Sequence, residues 1–454
     1  MRTPREKMLA EEPITKLIWK LSLPAMMGMF VNAMYNLVDT IYIGHGVGPL
    51  GIAGLSVAFP IQMIMGGTGA MFGIGAASII SRALGARDYS RAEDAFGNNL
   101  LAVLVMGFVV TGLGTLFLDD LLVLFGATEA ILPYAREYLG IILYGAPLIM
   151  FTMSMNNVIR SEGSARVAMW SMIIAGMANI VLDPLFIFTL NMGIRGAAWA
   201  TVLSRLLTVG WIYWYFRFGK SALSFGLKYM RPRFHILWEM VTIGFPMLIR
   251  HASSSFVFGL VNHLAALYGG DMAVALFGIN NRAVFFSVMP MVGIAQGMQP
   301  ILGFNYGAKR FDRAREVVKK SFLIATLFSG TISLIMISFP EVVISVFTNS
   351  REILQMGPHA MRLMTFGLVF VGFQMIGGIL FQAIGKAVPS FILNTSRSIL
   401  ILVPLLLTLP GSLGLDGIWI SFSLSDIFSF ILAFIMVSRQ IRTFQAQHLA
   451  TQEV

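Results

Sequence analysis

The sequence predicts an all-α membrane protein with about twelve transmembrane helices in two pseudo-symmetric six-helix lobes. Three observations predict this fold. The 454-residue chain is 57% hydrophobic and only 12% charged, a composition that no soluble domain of this length has. Apolar runs of about 20 residues recur from end to end, and the second half of the chain repeats the first at a constant offset.

Each apolar run is long enough to cross a bilayer as a helix. The first run is too long and begins too late for a cleaved signal peptide, and no small-residue cleavage site follows it. The chain has no cysteine, which excludes disulfides, thiolate metal sites and cysteine nucleophiles. The predicted spans are 15–42, 52–80, 96–118, 132–156, 167–189, 194–216, 236–267, 273–303, 318–340, 357–382, 388–409 and 415–437.

The placement of the basic residues predicts the topology. With the N-terminus taken as cytoplasmic, the cytoplasmic segments hold 24 of the 32 Lys and Arg residues, the external loops hold two, and six lie within spans. This bias follows the positive-inside rule. The net charge of +10 therefore reflects membrane topology rather than nucleic-acid binding, and both termini are predicted to be cytoplasmic.

The first span carries polar residues that a helix brings to one side. Asn36 and Asp39 are three residues apart and share a face, and Pro24 lies near the start of the span. An aspartate at membrane depth usually marks an ion or proton path, although one near a helix end can instead extend to water. Both interpretations of Asp39 stay open from the sequence.

Small residues characterise the second span, which contains GGTGAMFGIGAAS. They permit close packing against neighbouring helices. The connection that follows, LGARDYSRAEDAF, is basic and amphipathic and is predicted to be cytoplasmic.

The fifth span contains the most informative stretch, NIVLDP, from Asn179 to Pro184. Asn179 and Asp183 are four residues apart, so a helix places both on one face. Pro184 cannot donate to the Ile180 carbonyl, which frees that oxygen and tends to kink the helix. An oxygen-rich group of this kind suits a proton or a small hard cation, whereas the alternative is an aspartate packed against another helix for structural reasons.

An internal repeat divides the chain into lobes. Gly85 and Ala86 match Gly307 and Ala308, and the offset of 222 residues (307 − 85) holds over nearly the whole chain. The longest basic connection, 217–233, separates the halves. We therefore predict an N-terminal lobe at 1–222 with the cation site and a C-terminal lobe at 223–454, related as a parallel repeat.

The second lobe lacks the acidic pair, since Asp39 maps to Val261 and Asp183 to Leu405. Its own polar residues at membrane depth are different in kind. Arg397 and Asp426 fall at similar depths on consecutive spans, which predicts a buried ion pair. The set of C-lobe polar residues is Arg250, Arg282, Arg397 and Asp426.

Taken in order, these features resemble the MATE family of multidrug and toxin extrusion transporters, and its DinF-like and MepA-like prokaryotic members in particular. The resemblance covers essentially the full length. It is carried by LVDTIYIGH in the first span, by LGARDYSRAED repeated as NYGAKRFDRARE, by the NxxxDP motif and by the GIRGAAWAT turn.

The resemblance implies a cation-coupled antiporter with its site in the first lobe. Carried over residue by residue, the cation-coupling residues are Asp39, Asn179, Asp183 and Thr201, which could hold a proton or sodium. The resemblance also implies that Tyr138 bonds to an aspartate and that the first span bends near Pro24. The NorM-like branch has acidic residues in its seventh and tenth spans, and this chain has none there, so no second-lobe sodium site is expected.

The predicted function is a secondary active antiporter that exports organic cations or drugs in exchange for protons or sodium by rocking of the two lobes. The alternative is a flippase of lipid-linked sugars or related lipids from the same superfamily, which Arg250, Arg282 and Arg397 leave open. An enzyme is not expected, because the chain has no DDxxD, HExxH, P-loop or GxSxG motif with partner residues.

The remaining expectations concern partners and location. Amphipathic cationic small molecules and membrane lipids are the expected partners, with no nucleic acid and no cofactor beyond the coupling ion. The 30 Met residues suit adaptable binding of apolar ligands. The protein is expected to be a monomer in the cytoplasmic (inner) membrane.

Overall fold

The computed structural model of the protein describes residues 4–219, 221–224, 226–348 and 350–452. Within those ranges the secondary structure is helical, with no β-strand. The chain forms two compact units. Of the described residues, the first unit holds 4–11 and 23–248, and the second holds 12–22 and the chain from 249 onward. The boundary between the two predicted lobes, at residue 222, comes from the sequence repeat and not from this division into compact units. It stays a prediction.

The helices of the first half lie close to the predicted spans. They are α1 (Pro4–Glu11), α2 (Ile14–Gly46), α3 (Pro49–Gly85), α4 (Tyr89–Leu116), α5 (Leu118–Leu124), α6 (Leu132–Tyr144), α7 (Ala146–Ser161), α8 (Ala165–Pro184) and α9 (Ile194–Phe218). A π-helical segment, Leu185–Thr189, continues α8, and a 3₁₀ turn, Leu227–Met230, lies in the basic connection.

The second half begins with a helix of 74 residues. Its helices are α10 (Phe234–Gly307), α11 (Phe311–Ser338), α12 (Pro340–Ser345), α13 (Arg351–Thr365), α14 (Val371–Ala383), α15 (Ala387–Thr395), α16 (Val403–Thr408), α17 (Pro410–Leu413) and α18 (Leu415–Gln452). A 3₁₀ turn, Phe366–Phe370, joins α13 to α14, and a π-helical segment, Ser396–Leu402, joins α15 to α16.

These helices account for the twelve predicted spans. In the described ranges nine helices are long and apolar enough to cross a membrane, or ten when the bent pair α6 and α7 counts as one span. Helix α10 supplies two spans, because its backbone leaves the helical region at Gly270, where φ is 65°. Helix α9 is not among these apolar helices, but with 25 residues it is long enough to be the remaining span. The predicted fold class is confirmed.

The repeat seen in the sequence recurs in the backbone. Left-handed φ angles occur at matching turns in the two halves, including at two residues that are not glycine, for which this conformation is uncommon. The matching pairs are Gly48 with Gly270, Arg87 with Lys309 and Gly163 with Gly385 at an offset of 222, and Gly193 with Gly414 at an offset of 221. Equivalent turns therefore have equivalent backbone geometry.

Glycines set the closest helix packing in the first unit. A Cβ atom on Gly75 of α3 would lie 2.0 Å from the Met240 carbonyl oxygen, and one on Gly244 of α10 would lie 1.8 Å from the Met71 carbonyl oxygen. The start of α10 therefore packs on α3 backbone against backbone. This is the packing that the small residues of the second span predict.

Candidate functional site

Two acidic side chains meet inside the first unit. Asp39 of α2 and Asp183 of α8 are 6% and 0% exposed. Their carboxyl groups lie close enough to share a hydrogen bond. Two carboxylates at this separation in an apolar surrounding cannot both stay ionised cheaply, so the pair favours a shared proton or a bound cation.

Neutral polar groups complete the cluster. Asn179 Nδ2 donates to Asp183 Oδ1 at 3.3 Å and to Thr201 Oγ1 of α9 at 3.4 Å. Asn179 is 1% exposed and Thr201 is 9% exposed. The structure therefore brings together the four residues predicted as the cation-coupling site, from three helices that are separate in the sequence.

Several oxygen atoms in this cluster have unused acceptor capacity. Asp39 Oδ1, Asp183 Oδ2 and Asn179 Oδ1 are buried and accept no hydrogen bond from any residue that the structure describes. A buried acceptor without a partner costs free energy, about 1–3 kcal/mol. A proton satisfies one carboxylate oxygen, and a small hard cation satisfies several oxygens at once. The donor set therefore fits either coupling ion.

Tyr138 lies beside this cluster but bonds elsewhere. Its side chain is 2% exposed and lies within electrostatic range of Asp39 and Asp183. Its side-chain hydrogen-bond partner is Gln62 of α3, and no bond from Tyr138 to an aspartate occurs among the described residues. The bond to an aspartate that the resemblance implies stays a prediction. Gln62 was missed, although an amide in the apolar run FPIQMIM was a visible clue.

The proline after Asp183 changes the type of helix. Helix α8 ends at Pro184 and continues as the π-helical segment Leu185–Thr189. The Leu190 N–H donates to the Leu185 carbonyl at 2.9 Å, five residues back. Such wider turns are common at functional sites, because they leave backbone carbonyls free. The loosening expected at Pro184 thus takes the form of a π-helical turn beside the acid pair.

Two further residues predicted to support the site, Asn36 and Pro24, both lie on α2. Asn36 is exposed, and its Nδ2 donates to the Asn32 carbonyl of its own helix at 2.7 Å. It therefore does not join Asp39, although helical spacing puts both on one side. Pro24 lies inside α2, which continues past it without interruption. Bending of this span stays a prediction.

The second unit contains the expected ion pair. Arg397 Nε donates to Asp426 Oδ1, and Asp426 is 2% exposed. Arg250 lies within electrostatic range of Arg397. Arg282 is exposed, so it does not join a buried cationic group.

The counterpart of the acid site in the second unit is apolar. Residues at the repeat offset belong to one hydrophobic cluster or pack against it. They are Val261 for Asp39, Val284 for Gln62 and Ala360 for Tyr138 at an offset of 222, and Phe422 for Thr201 at an offset of 221. Apolar side chains fill this space, so among the residues that the structure describes the polar cluster occurs in the first unit and not at the equivalent place in the second.

The match to a known protein family shows the same division of the chain into two halves. The MatE family profile matches twice, over residues 24–185 and 246–408, and the matches begin 222 residues apart (246 − 24). Multidrug export protein MepA of Staphylococcus aureus (strain MSSA476) is 25% identical over 427 residues, which are 94% of each protein.

Solved structures of other proteins are similar to this chain over nearly its full length. The MATE multidrug transporter DinF-BH, solved in complex with the dye rhodamine 6G, gives a TM-score of 0.88 at 42% identity, covering 96% of this chain and 98% of that one. A MATE family transporter of the MOP superfamily in an outward-facing conformation gives a TM-score of 0.92 at 30% identity, covering 98% and 100%.

Proposed function

Because the chain belongs to the MatE family, we propose that it is a secondary active antiporter that exports organic cations in exchange for protons or sodium. The observation that carries this proposal is the buried pair Asp39 and Asp183, joined to Asn179 and Thr201 in the first unit. Family membership also confirms that the chain is a multi-pass membrane transporter and not an enzyme.

The acid pair supplies a means of coupling. A charged pair attracts the cationic substrate, whereas a pair that has taken up a proton or sodium no longer does. Substrate and coupling ion therefore compete for the same negative charge. Reorientation with an empty, doubly charged pair is penalised inside a membrane, so the two lobes rock only when one cation or the other is present. We propose protons as the coupling ion, with sodium as the alternative.

Relatives support the substrate class. MepA is a multidrug export protein, and the DinF-BH structure holds rhodamine 6G. We infer that this chain exports amphipathic cations of broad structure from the cytoplasm. It does so as a monomer in the cytoplasmic membrane, with both termini inside, as the positive-inside bias supports.

The flippase alternative needs a cationic cavity for a pyrophosphate head group. The second unit provides less free positive charge than its sequence indicates, because Arg397 is neutralised by Asp426. Arg250 and Arg282 remain, and Arg282 is exposed. The acid pair in the first unit serves no evident purpose in a flippase, so the antiporter is the better supported function.

The test is drug-driven cation flux in proteoliposomes that contain the purified protein. Rhodamine 6G is the probe, and the proton gradient and the sodium gradient are imposed in separate experiments. We expect uphill transport of the dye under one gradient and cation movement in the opposite direction. Absence of dye-coupled flux under both gradients, in vesicles that contain folded protein, would favour the flippase.

Substitution of the acids tests the site itself. Asp39→Asn and Asp183→Asn should each lower gradient-driven transport by at least about tenfold, because each removes a charge on which coupling depends. Asp416→Asn is the matched control, since that aspartate is exposed and pairs with His359. If either site variant retains wild-type uphill transport under both gradients, the site assignment is wrong.

A further inference from the structure

A groove with a volume of about 730 Å³ runs along α6 in the first unit and is lined by residues of α5, α6 and α9. We call it the α6 groove. Volumes of roughly 300–1,000 Å³ are typical of ligand sites. In the predicted topology α6 begins at the external membrane surface. One end of the groove therefore lies at the external interface, and the other lies within the bilayer.

The external end of the α6 groove is charged. Arg136 and Glu137 lie in the first two turns of α6, and Arg195 lies in the first turn of α9. Arg195 Nη2 donates to Glu137 Oε1 at 2.9 Å, and Arg136 Nε lies 3.2 Å from Asp119 Oδ1. A guanidinium group has five N–H donors, so most donors of both arginines have no partner in the part of the chain that the structure describes. Phosphate oxygens accept such donors in pairs.

The charges at this end sum to zero, because the two arginines are balanced by Glu137 and Asp119. A zwitterionic head group with a phosphate and a primary ammonium matches both signs. An anionic head group offers nothing to the carboxylates. A choline head group has the same two charges as an ethanolamine one, but its nitrogen carries no hydrogen to donate.

The inner end of the groove is apolar. A Cβ atom on Gly140 would meet only Leu118 Cδ2, at 3.6 Å, so this side of α6 is open. Tyr144 lies 12 residues beyond Leu132 (144 − 132), about 18 Å along the helix, and it is 68% exposed. An exposed aromatic ring at that distance from the external surface faces the hydrocarbon core. This end of the groove therefore suits an acyl chain.

The second repeat fills the equivalent space. Gly140 matches Arg362 at the offset of 222 residues (362 − 140). Arg362 Nε donates to the Ile337 carbonyl at 3.1 Å, and its Nη2 donates to Glu341 Oε1 at 3.4 Å. A long charged side chain thus occupies the place that glycine leaves open in the first unit. The groove arises from a sequence difference between the repeats and not from the fold alone.

We propose that the α6 groove binds one phosphatidylethanolamine molecule of the outer leaflet. Arg136 and Arg195 bind the phosphate, Glu137 accepts hydrogen bonds from the ammonium group, and an acyl chain lies along Gly140 and Tyr144. This inference does not rest on the proposed antiport, because it concerns a lipid that the transporter holds and does not move.

The test is native mass spectrometry of the purified, delipidated full chain. Phosphatidylethanolamine, phosphatidylcholine or phosphatidylglycerol with the same acyl chains is added, and the readout is the dissociation constant of the first lipid bound. We expect the wild type to bind phosphatidylethanolamine at least about tenfold more tightly than the other two, because its ammonium and phosphate both form charge-assisted hydrogen bonds.

Substitutions locate the site. Gly140→Leu fills the groove and Arg195→Gln removes a donor to the phosphate, and each should weaken phosphatidylethanolamine binding by at least about tenfold. Gly112→Leu is the matched control on α4, since Gly112 is exposed and a Cβ atom there meets no atom within 4 Å. Arg362→Gln is the matched control for charge, because it breaks an ion pair in the second unit. Both controls should bind like the wild type.

Glu137→Gln tests the head-group assignment. This change removes the ammonium acceptor and frees Arg195, so the lipid preference should move toward the anionic phosphatidylglycerol, whereas loss of a purely structural carboxylate would change all three affinities alike. Equal affinities of the wild type for the three lipids would overturn the proposal, and so would wild-type binding by a folded Gly140→Leu. If Gly140→Leu does not fold, an unchanged lipid preference in Glu137→Gln overturns it.

Discussion

At the residue scale, Glu162 is a buried acid outside the membrane spans. It lies in the turn between α7 and α8 and is 2% exposed. Its carboxylate accepts hydrogen bonds from Ser221 Oγ at 2.8 Å and from the Ala222 N–H at 2.6 Å, at the start of the connection between the repeats. Burial raises the pKa of Glu162 to about 7, although these hydrogen bonds oppose the shift. The folded protein therefore favours the neutral acid.

This shift predicts a pH dependence of stability. The raised pKa means that the contribution of Glu162 is fully present below about pH 4.5 and declines as the pH rises to about 7, because the unfolded chain ionises first. The loss is on the order of 3 kcal/mol at 1.4 kcal/mol per pKa unit. Glu162→Gln should flatten the profile of thermal midpoint against pH over this window.

Glu129→Gln is the matched control, because Glu129 is exposed in a loop. Its profile should follow that of the wild type. If the slope of thermal midpoint against pH is the same in Glu162→Gln as in the wild type, another group titrates between about pH 4.5 and about pH 7.

At the element scale, close backbone packing between α3 and α10 makes a prediction about glycine. Gly244→Ala places a methyl group 1.8 Å from the Met71 carbonyl oxygen, so the two helices must separate. We expect a fall in thermal midpoint and a lower yield of membrane-inserted protein. Gly259→Ala on the same helix meets no atom within 4 Å and should be neutral or slightly stabilising. Equal midpoints for the two variants would contradict this packing.

Two of the predicted spans contain breaks in the helix that the hydropathy of the sequence does not reveal. The fourth predicted span consists of α6 and α7, bent by 58° at Gly145. The eleventh contains the π-helical segment Ser396–Leu402, which includes Arg397. A continuous apolar run predicts that a segment crosses the membrane but not that it is straight. Breaks of this kind depend on which neighbouring groups form hydrogen bonds with the freed backbone N–H and C=O groups, and those neighbours are distant in the sequence.

For the whole molecule, the charge bias predicts which loops face the cytoplasm. The chain has no cysteine, so single cysteines can be introduced without background. Asp88→Cys and Asp312→Cys should react with a membrane-impermeant thiol reagent only after the membrane is opened. Ser412→Cys, in the short helix α17, should react from outside. External labelling at position 88 or 312 would contradict the topology.

The spans and the repeat could be predicted because each depends on spacing along the chain, whereas the pairing of Asp39 with Asp183, which are 144 positions apart (183 − 39), was implied by the family resemblance. Asn179 and Asp183 share a helix, so their common face follows from periodicity. The Tyr35–Arg205 contact joins residues that are 170 positions apart, and no pattern within either span indicates it. Asn36 was predicted to support the site because it shares a helical face with Asp39. Its side chain instead donates to the Asn32 carbonyl of its own helix, since a shared face does not determine which neighbour a side chain contacts.

The apolar counterpart of the acid site has a consequence for the electrical work of transport. In the proposed antiport, Asp39 and Asp183 are the carboxylates that the described part of the chain leaves for coupling, so at most two positive charges would enter for each cation exported. Two-for-one exchange moves one net charge inward, and a membrane potential of 100 mV then adds about 2.3 kcal/mol to export, whereas one-for-one exchange gains nothing from it. The reversal potential of the drug-coupled current measures how many positive charges enter for each cation exported. A value that required more than two entering charges would contradict a single acid site.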